Sequence, residues 1–202
     1  MPDSPPLKIG FLASGNGSSA IAVIRAIRRG RLAAEARLLV SNKRDAPALS
    51  AAAEAGVPTL CLPTQKDPAE ADRRLAEAMQ KSGVQLIVLS GYLRKLGPEI
   101  LGRYGGRILN IHPGPLPQFG GQGMYGRRVH EAVIGSGARE SAIVIHAVDE
   151  EYDHGPEVAR RAVPIQPGES AEALEGRVKA LEPEFFVDTL IAIAEGRLDL
   201  PA

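Results

Sequence analysis

A short apolar run, Lys8–Ala13 (KIGFLA), stops abruptly at Ser-Gly-Asn-Gly-Ser-Ser, and the residues that follow change period. Ile21, Ile24 and Ile27 recur at a spacing of three between Ala20 and Arg28, which marks one face of a helix. Strand, glycine turn, helix is the opening of an α/β unit, and it restricts the rest of the chain to layers built around a sheet. The alternation continues. Ala36–Ser41 reads as a strand, Ala46–Ala55 as an alanine-rich helix ended by Gly56, and Thr59–Leu62 as a short strand. Pro68–Ser82 is a charged helix with Leu75 and Met79 on one face, stopped by Gly83. Val84–Ser90 (VQLIVLS) is apolar on both faces, as a central strand of a parallel sheet must be.

Past the helix Pro98–Tyr104, the strand Arg107–His112 ends in polar residues. Residues 113–126 then hold five glycines and three prolines in fourteen positions, an irregular loop of a length that compact domains keep for function or mobility. Arg127–Gly135 reads as a helix, and Ala142–Val148 and Glu157–Ile165 as strands close enough to pair antiparallel. Ser170 is placed to cap a C-terminal helical region to Glu195, which Pro183 should kink or split. The expected architecture is α/β: a single-domain, open, mostly parallel twisted sheet with helices on both faces and an antiparallel C-terminal edge. Residues 1–7 read as a disordered leader and 8–202 as the domain.

At 202 residues with 44% hydrophobic and 24% charged side chains, the chain is long enough and apolar enough for one self-sufficient core. Its 24 basic and 24 acidic residues cancel, so no general attraction to nucleic acid or to an anionic membrane is expected. No apolar run approaches 18 residues, and the start lacks the basic and apolar regions of a signal peptide. The lone Cys61 supports neither an intrachain disulfide nor a thiolate zinc site, and reads as a small buried apolar residue in a reducing compartment.

Two constellations carry chemistry. Gly15-Asn-Gly17-Ser-Ser-Ala20 matches G-x-G-x-x-A between a strand and a helix, where free N–H groups and the helix dipole meet an anion. A phosphate ester suits it, with Ser18 and Ser19 adding hydroxyls. An NAD site would want a carboxylate at the end of strand two, where Ser41-Asn-Lys-Arg44 stands instead; NADP with Lys43 or Arg44, or a turn that only packs, remain the other readings. The second constellation is Asn110-Ile-His112, whose period of two puts an amide and an imidazole on one face of one strand. An amide N–H stabilises a developing oxyanion and an imidazole moves a proton at neutral pH. Asp153, before the forced turn His-Gly-Pro156, is the carboxylate that could turn back and orient His112. Metal binding by His112, His146, Asp153 and His154 is a rival without supporting spacing.

These segments together resemble the phosphoribosylglycinamide formyltransferase family, in its branch with a glycine-rich loop. The likeness runs from Lys8 to Leu198 and rests on Ser14-Gly-Asn-Gly-Ser18, Ser41-Asn-Lys43, Val88-Leu-Ser-Gly-Tyr-Leu-Arg94, Arg107-Ile-Leu-Asn-Ile-His-Pro113 and Tyr152-Asp-His-Gly-Pro156. The resemblance implies a Rossmann-like formyltransferase fold and direct transfer of the formyl group of 10-formyltetrahydrofolate to the amine of 5'-phosphoribosylglycinamide in purine synthesis, without a metal. It implies a ribose-phosphate site at Gly15, Asn16, Gly17, Ser18 and Ser19, and a catalytic trio of Asn110, His112 and Asp153. The folate would lie along Tyr92, Leu93, Arg94 and Leu96 and the turn Val148, Asp149, Glu150 and Asp153, with Glu182 at the substrate amine. The substrates would be small molecules; the neutral charge, the lack of a membrane or signal segment and the apolar residues consumed by the core add the expectation of a cytoplasmic monomer or weak homodimer with no nucleic acid or membrane partner.

The chain departs from the family pattern at Ser19, where asparagine is common, at Gly114-Pro115, at Ala142-Ile-Val and at Pro183 after Glu182. The other readings are a formyltransferase for another amine such as an amino-sugar nucleotide, a 10-formyltetrahydrofolate hydrolase, and an NADP-binding Rossmann-like protein.

Overall fold

The computed structural model describes residues 5–201; the first four residues of the expected leader lie outside it. Strand β1 (Leu7–Leu12) starts inside that leader, so Leu7 belongs to the sheet. It is followed by α1 (Ser18–Arg28), β2 (Ala34–Ser41), α2 (Pro47–Glu54), β3 (Thr59–Cys61) and α3 (Pro68–Lys81). Then come β4 (Leu86–Leu89), α4 (Pro98–Tyr104), β5 (Ile108–His112), α5 (Arg127–Gly135), β6 (Glu140–Ala147), β7 (Glu157–Pro164) and α6 (Ala171–Ala194).

The seven strands form one sheet in the order β3-β2-β1-β4-β5-β6-β7. Pairings from β3 to β5 are parallel, and β6 and β7 are added antiparallel. The reversal of order at β1/β4 is where an open α/β sheet leaves a crevice beyond its strand ends. Strand parity sorts the core into two layers. Ile9, Phe11, Leu39, Leu86, Val88 and Leu109 pack under α1, α2 and the second half of α6. Leu38, Val40, Ile87, Leu89 and Ile108 face the other way, against α3 and α4. A smaller cluster joins Ile143 and Val163 of the antiparallel edge to Val129 and Val133 of α5 and Leu174 and Val178 of α6.

Helix ends follow local chemistry. Asp67 caps α3, accepting from Glu70 N at 2.9 Å, and Ser170 caps α6, accepting from Ala173 N at 3.2 Å. Asp72 of α3 takes the same part for its neighbour, accepting from the Glu99 and Ile100 amides at 2.8 and 3.3 Å at the start of α4. The expected break at Pro183 does not occur: α6 is one helix of 24 residues through it. An interior proline costs about 3 kcal/mol, and burial of Leu174 and Val178 before it and Phe186, Val187 and Leu190 after it outweighs that cost. Cys61, at the end of edge strand β3, is only partly buried.

Candidate active site

Asn110 and His112 share the face of β5 that carries Ile108, and that face is covered from Ile108 onward by a turn rather than a helix. The turn, residues 148–156, leaves β6 and folds back over the sheet before β7 begins. Two features force this path. Asp153 sits at φ 55°, a left-handed conformation that a non-glycine residue adopts at a cost. Gly155 lies so close to the Ala147 carbonyl that a Cβ there would stand 2.0 Å from the oxygen, so only glycine fits.

The result is a carboxylate between two imidazoles. Asp153 Oδ2 is 3.4 Å from His112 Nδ1, and Oδ1 is 3.5 Å from His146 Nε2. Gly121 of the glycine-rich loop donates its N–H to Oδ2 at 3.1 Å. Burial alone would raise the Asp153 carboxyl, but the His112 and His146 rings on either side of it, with the Gly121 amide, outweigh burial and hold it well below the usual carboxylate range. Both histidines are almost fully buried. His112 donates Nε2–H to the Phe119 carbonyl at 2.7 Å, which leaves Nδ1 as the atom facing Asp153. Asn110 Nδ2 is 3.1 Å from His146 Nε2. The sequence reading thus assembled three of the four side chains in this cluster. His146 entered it only as a metal candidate, although Asn110 and His146 are direct partners in the β5–β6 ladder. No group of three or more His, Cys, Asp or Glu residues among those described is arranged to hold a metal ion.

The glycine turn forms the N-terminus of α1. Gly17, at φ 59° and ψ 42°, brings no side chain to cap the helix, and the Ile21 amide is bonded to the Gly17 carbonyl. Ser90 Oγ accepts from the Ala20 amide at 3.2 Å. Asn16 and Ser18 are exposed, and Gly15 has open space where a Cβ would project. Ser19 is different. It is 1% exposed, because α1 begins two residues earlier than its apolar spacing suggests and Ser19 falls on the inner stripe with Val23 and Ala26. The Ser19 hydroxyl, expected to add a donor to the turn, is therefore buried and not available there. Ser14 ties this turn to its neighbours: its Oγ donates to Asn42 Oδ1 at 2.6 Å and accepts from the Leu93 amide at 2.9 Å.

Tyr92 is half-buried, and burial pushes its hydroxyl up to about 12. Leu93 and Arg94 are exposed, whereas Leu96 is buried in the α3/α4 core beside a cavity of about 90 Å³ that Tyr92 and Lys95 also line. Val148 is partly buried and Glu150 exposed. Asp149 accepts from the Glu151 amide and pairs with His154 Nδ1, both at 2.8 Å, which stiffens the turn. Among the described residues the exposed large apolar side chains are Leu93, Tyr125 and Tyr152, each on a loop. Glu182 of α6 is partly buried, and burial, only partly offset by Lys179, raises its carboxyl to about 7. Lys179 is held at 2.6 Å by Glu175, which also accepts from Arg127 at the start of α5.

A glycine turn at a helix N-terminus, set beside an amide–imidazole–carboxylate group at the antiparallel edge of a mostly parallel sheet, defines a formyl transferase domain. The family model described as "Formyl transferase" matches residues 7–190. A phosphoribosylglycinamide formyltransferase of Haemophilus influenzae is 34% identical over 96% of this chain and 90% of its own. The crystal structure of the Coxiella burnetii phosphoribosylglycinamide formyltransferase superposes with a TM-score of 0.87 at 36% identity, covering 98% of this chain and 91% of that one. A chloroplastic relative from Vigna unguiculata is 37% identical over 95% of this chain, which spans 62% of that protein's length. The chain belongs to the phosphoribosylglycinamide formyltransferase family.

Proposed function

We propose that this protein transfers the formyl group of 10-formyltetrahydrofolate to the amine of 5'-phosphoribosylglycinamide by direct acyl transfer, a step of de novo purine synthesis. The observation that carries the reading is Asp153, held between His112 and His146 at 3.4 and 3.5 Å beside the Asn110 amide. The Asn110 NH2 and, in the doubly protonated ring, His112 Nδ1–H are the donors for the negative charge that develops on a carbonyl oxygen under attack by an amine. Loss of one such donor typically costs about 3–4 kcal/mol of barrier. Asp153 orients His112, which with Asp153 or a water held by it carries the proton from the attacking amine to the folate nitrogen as the bond from that nitrogen to the formyl carbon breaks. No nucleophile of the chain is required, since binding two reactants side by side supplies the proximity.

The ribose phosphate is assigned to Gly15, Asn16, Gly17 and Ser18, with Ser19 contributing its amide. The folate is assigned to Tyr92–Arg94, with Leu96 behind them, and to Val148–Glu150 and Asp153. Glu182 is assigned to the substrate amine. The same reading makes the protein a cytoplasmic monomer or weak homodimer whose partners are small molecules; no helix among the described residues is long and apolar enough to cross a membrane.

The test is folate release from 10-formyl-5,8-dideazafolate with and without the ribonucleotide. Release that requires 5'-phosphoribosylglycinamide is expected. Release without any amine would instead identify a hydrolase, and release only with an amino-sugar nucleotide a different acceptor.

A further inference from the structure

We propose that His146 is a positioning residue whose bare Nε2 decides which end of the Asn110 amide faces the reacting carbonyl. The inference deepens the formyl-transfer reading and rests on it for its kinetic consequences, but its structural claim stands on three atoms. His146 Nδ1 lies 2.9 Å from the Ala147 carbonyl oxygen. A carbonyl only accepts, so Nδ1 carries the proton. In the neutral ring Nε2 then has a lone pair, and the group 3.1 Å away from it must donate. Asn110 can donate only through its NH2, so the amide is locked with nitrogen toward His146. One N–H is spent on the ring, and the second remains for an oxyanion.

The alternative state is visible in the same geometry. Asp153 Oδ1 stands 3.5 Å from His146 Nε2 and attracts a proton to it. A protonated Nε2 repels the NH2 and favours the amide oxygen, which reverses the group and points Asn110 differently. The Ala147 carbonyl sets the balance by fixing the tautomer, and the fold supplies that carbonyl deliberately: the β6–β7 register slips at Ile145/His146, and Gly155 crowds the oxygen so closely that nothing larger fits. His112 is held by the same device, with Nε2–H given to Phe119 O and Nδ1 left for Asp153. His146 is almost fully buried, with Asn110 at 3.1 Å and Asp153 at 3.5 Å from its Nε2, so it works through Asn110 and not on substrate.

Two measurements test this. Long-range proton–nitrogen spectra of the wild-type protein at pH 7.5, with His146 assigned by its loss in His146→Phe or His146→Gln, report the tautomer without any turnover. The expected pattern has Nδ1 protonated and Nε2 bare; a protonated Nε2 overturns the proposal whether or not the transferase reading holds. The second is a double-mutant cycle read by kcat and KM. His146→Phe is expected to lower kcat tenfold or more with both KM values within threefold, and to lower it less than twofold in an Asn110→Ala background. Equal losses in the two backgrounds would mean that His146 merely supports the fold, and would overturn its role toward Asn110.

Discussion

His112 and Asp153 meet because two backbones bend toward each other: β5 ends at His112 while the turn after β6 accepts a left-handed residue to bring the carboxylate back. Replacing His112 by asparagine is therefore expected to lower kcat by about 10²–10⁴, leaving ribonucleotide affinity within a few-fold by calorimetry. A parallel loss of binding would mean that the ring holds substrate and does not move the proton. Glu182 gives a pH signature of opposite sense to ordinary carboxylates. Its folded carboxyl titrates near 7 against 4.5 in the unfolded chain, so between those values the folded state holds a proton that the unfolded state lacks. Stability then falls as pH rises from about 4.5 to 7. Urea unfolding at pH 5 and pH 7.5 is expected to show this decline shrinking in Glu182→Gln. Asn110 and His112 were legible as a pair because a period of two puts both side chains on one face of a strand that is otherwise apolar. The partners that hold them were not. Phe119 and Gly121 act through main-chain groups that leave no trace in side-chain type, and His146 gains meaning only once the β5–β6 register is known.

Among the elements, α4 and α5 fall on the residues that composition predicts, since each is bounded by proline or glycine where its pattern begins or ends. The start of α1 was misjudged by two residues, because Ser18 and Ser19 carry no apolar signal, and that small error reversed the expected orientation of the Ser19 hydroxyl. Helix α6 shows the opposite failure, where a strong local signal loses to packing. Pro183 cannot donate to the Lys179 carbonyl, yet the helix continues on the apolar surface it buries on both sides. Pro183→Ala is accordingly expected to stabilise the protein by up to about 3 kcal/mol in denaturant unfolding. No gain would indicate that the helix already relaxes fully around the ring.

Across the molecule, the mostly parallel sheet was implied by alternation of strand and helix, and the central place of β4 by its apolar residues on both faces, while the order β3-β2-β1-β4-β5-β6-β7 came only from the structure. Its two edges are protected differently. β3 is only three residues long, and β7 carries exposed Glu157, Arg160 and Arg161, charges that discourage pairing with a second sheet. Arg161→Val is expected to increase self-association in sedimentation at concentrations where the parent protein shows little. An unchanged profile would locate any contact between copies elsewhere.

The cluster of Asn110, His112, His146 and Asp153 is drawn wholly from β5, β6 and the turn beyond them, whereas the glycine turn at the start of α1 belongs to the parallel half of the sheet. The cluster and the glycine turn proposed for the ribose phosphate are thus encoded in separate stretches of the gene. If the glycine turn holds the phosphate as proposed, replacements in the first ninety or so codons alter that contact while Asn110, His112, His146 and Asp153 keep their places. For anyone redesigning acceptor choice, the seam to respect is Ser14, because its hydroxyl stitches the loops after β1, β2 and β4 into one exchangeable unit.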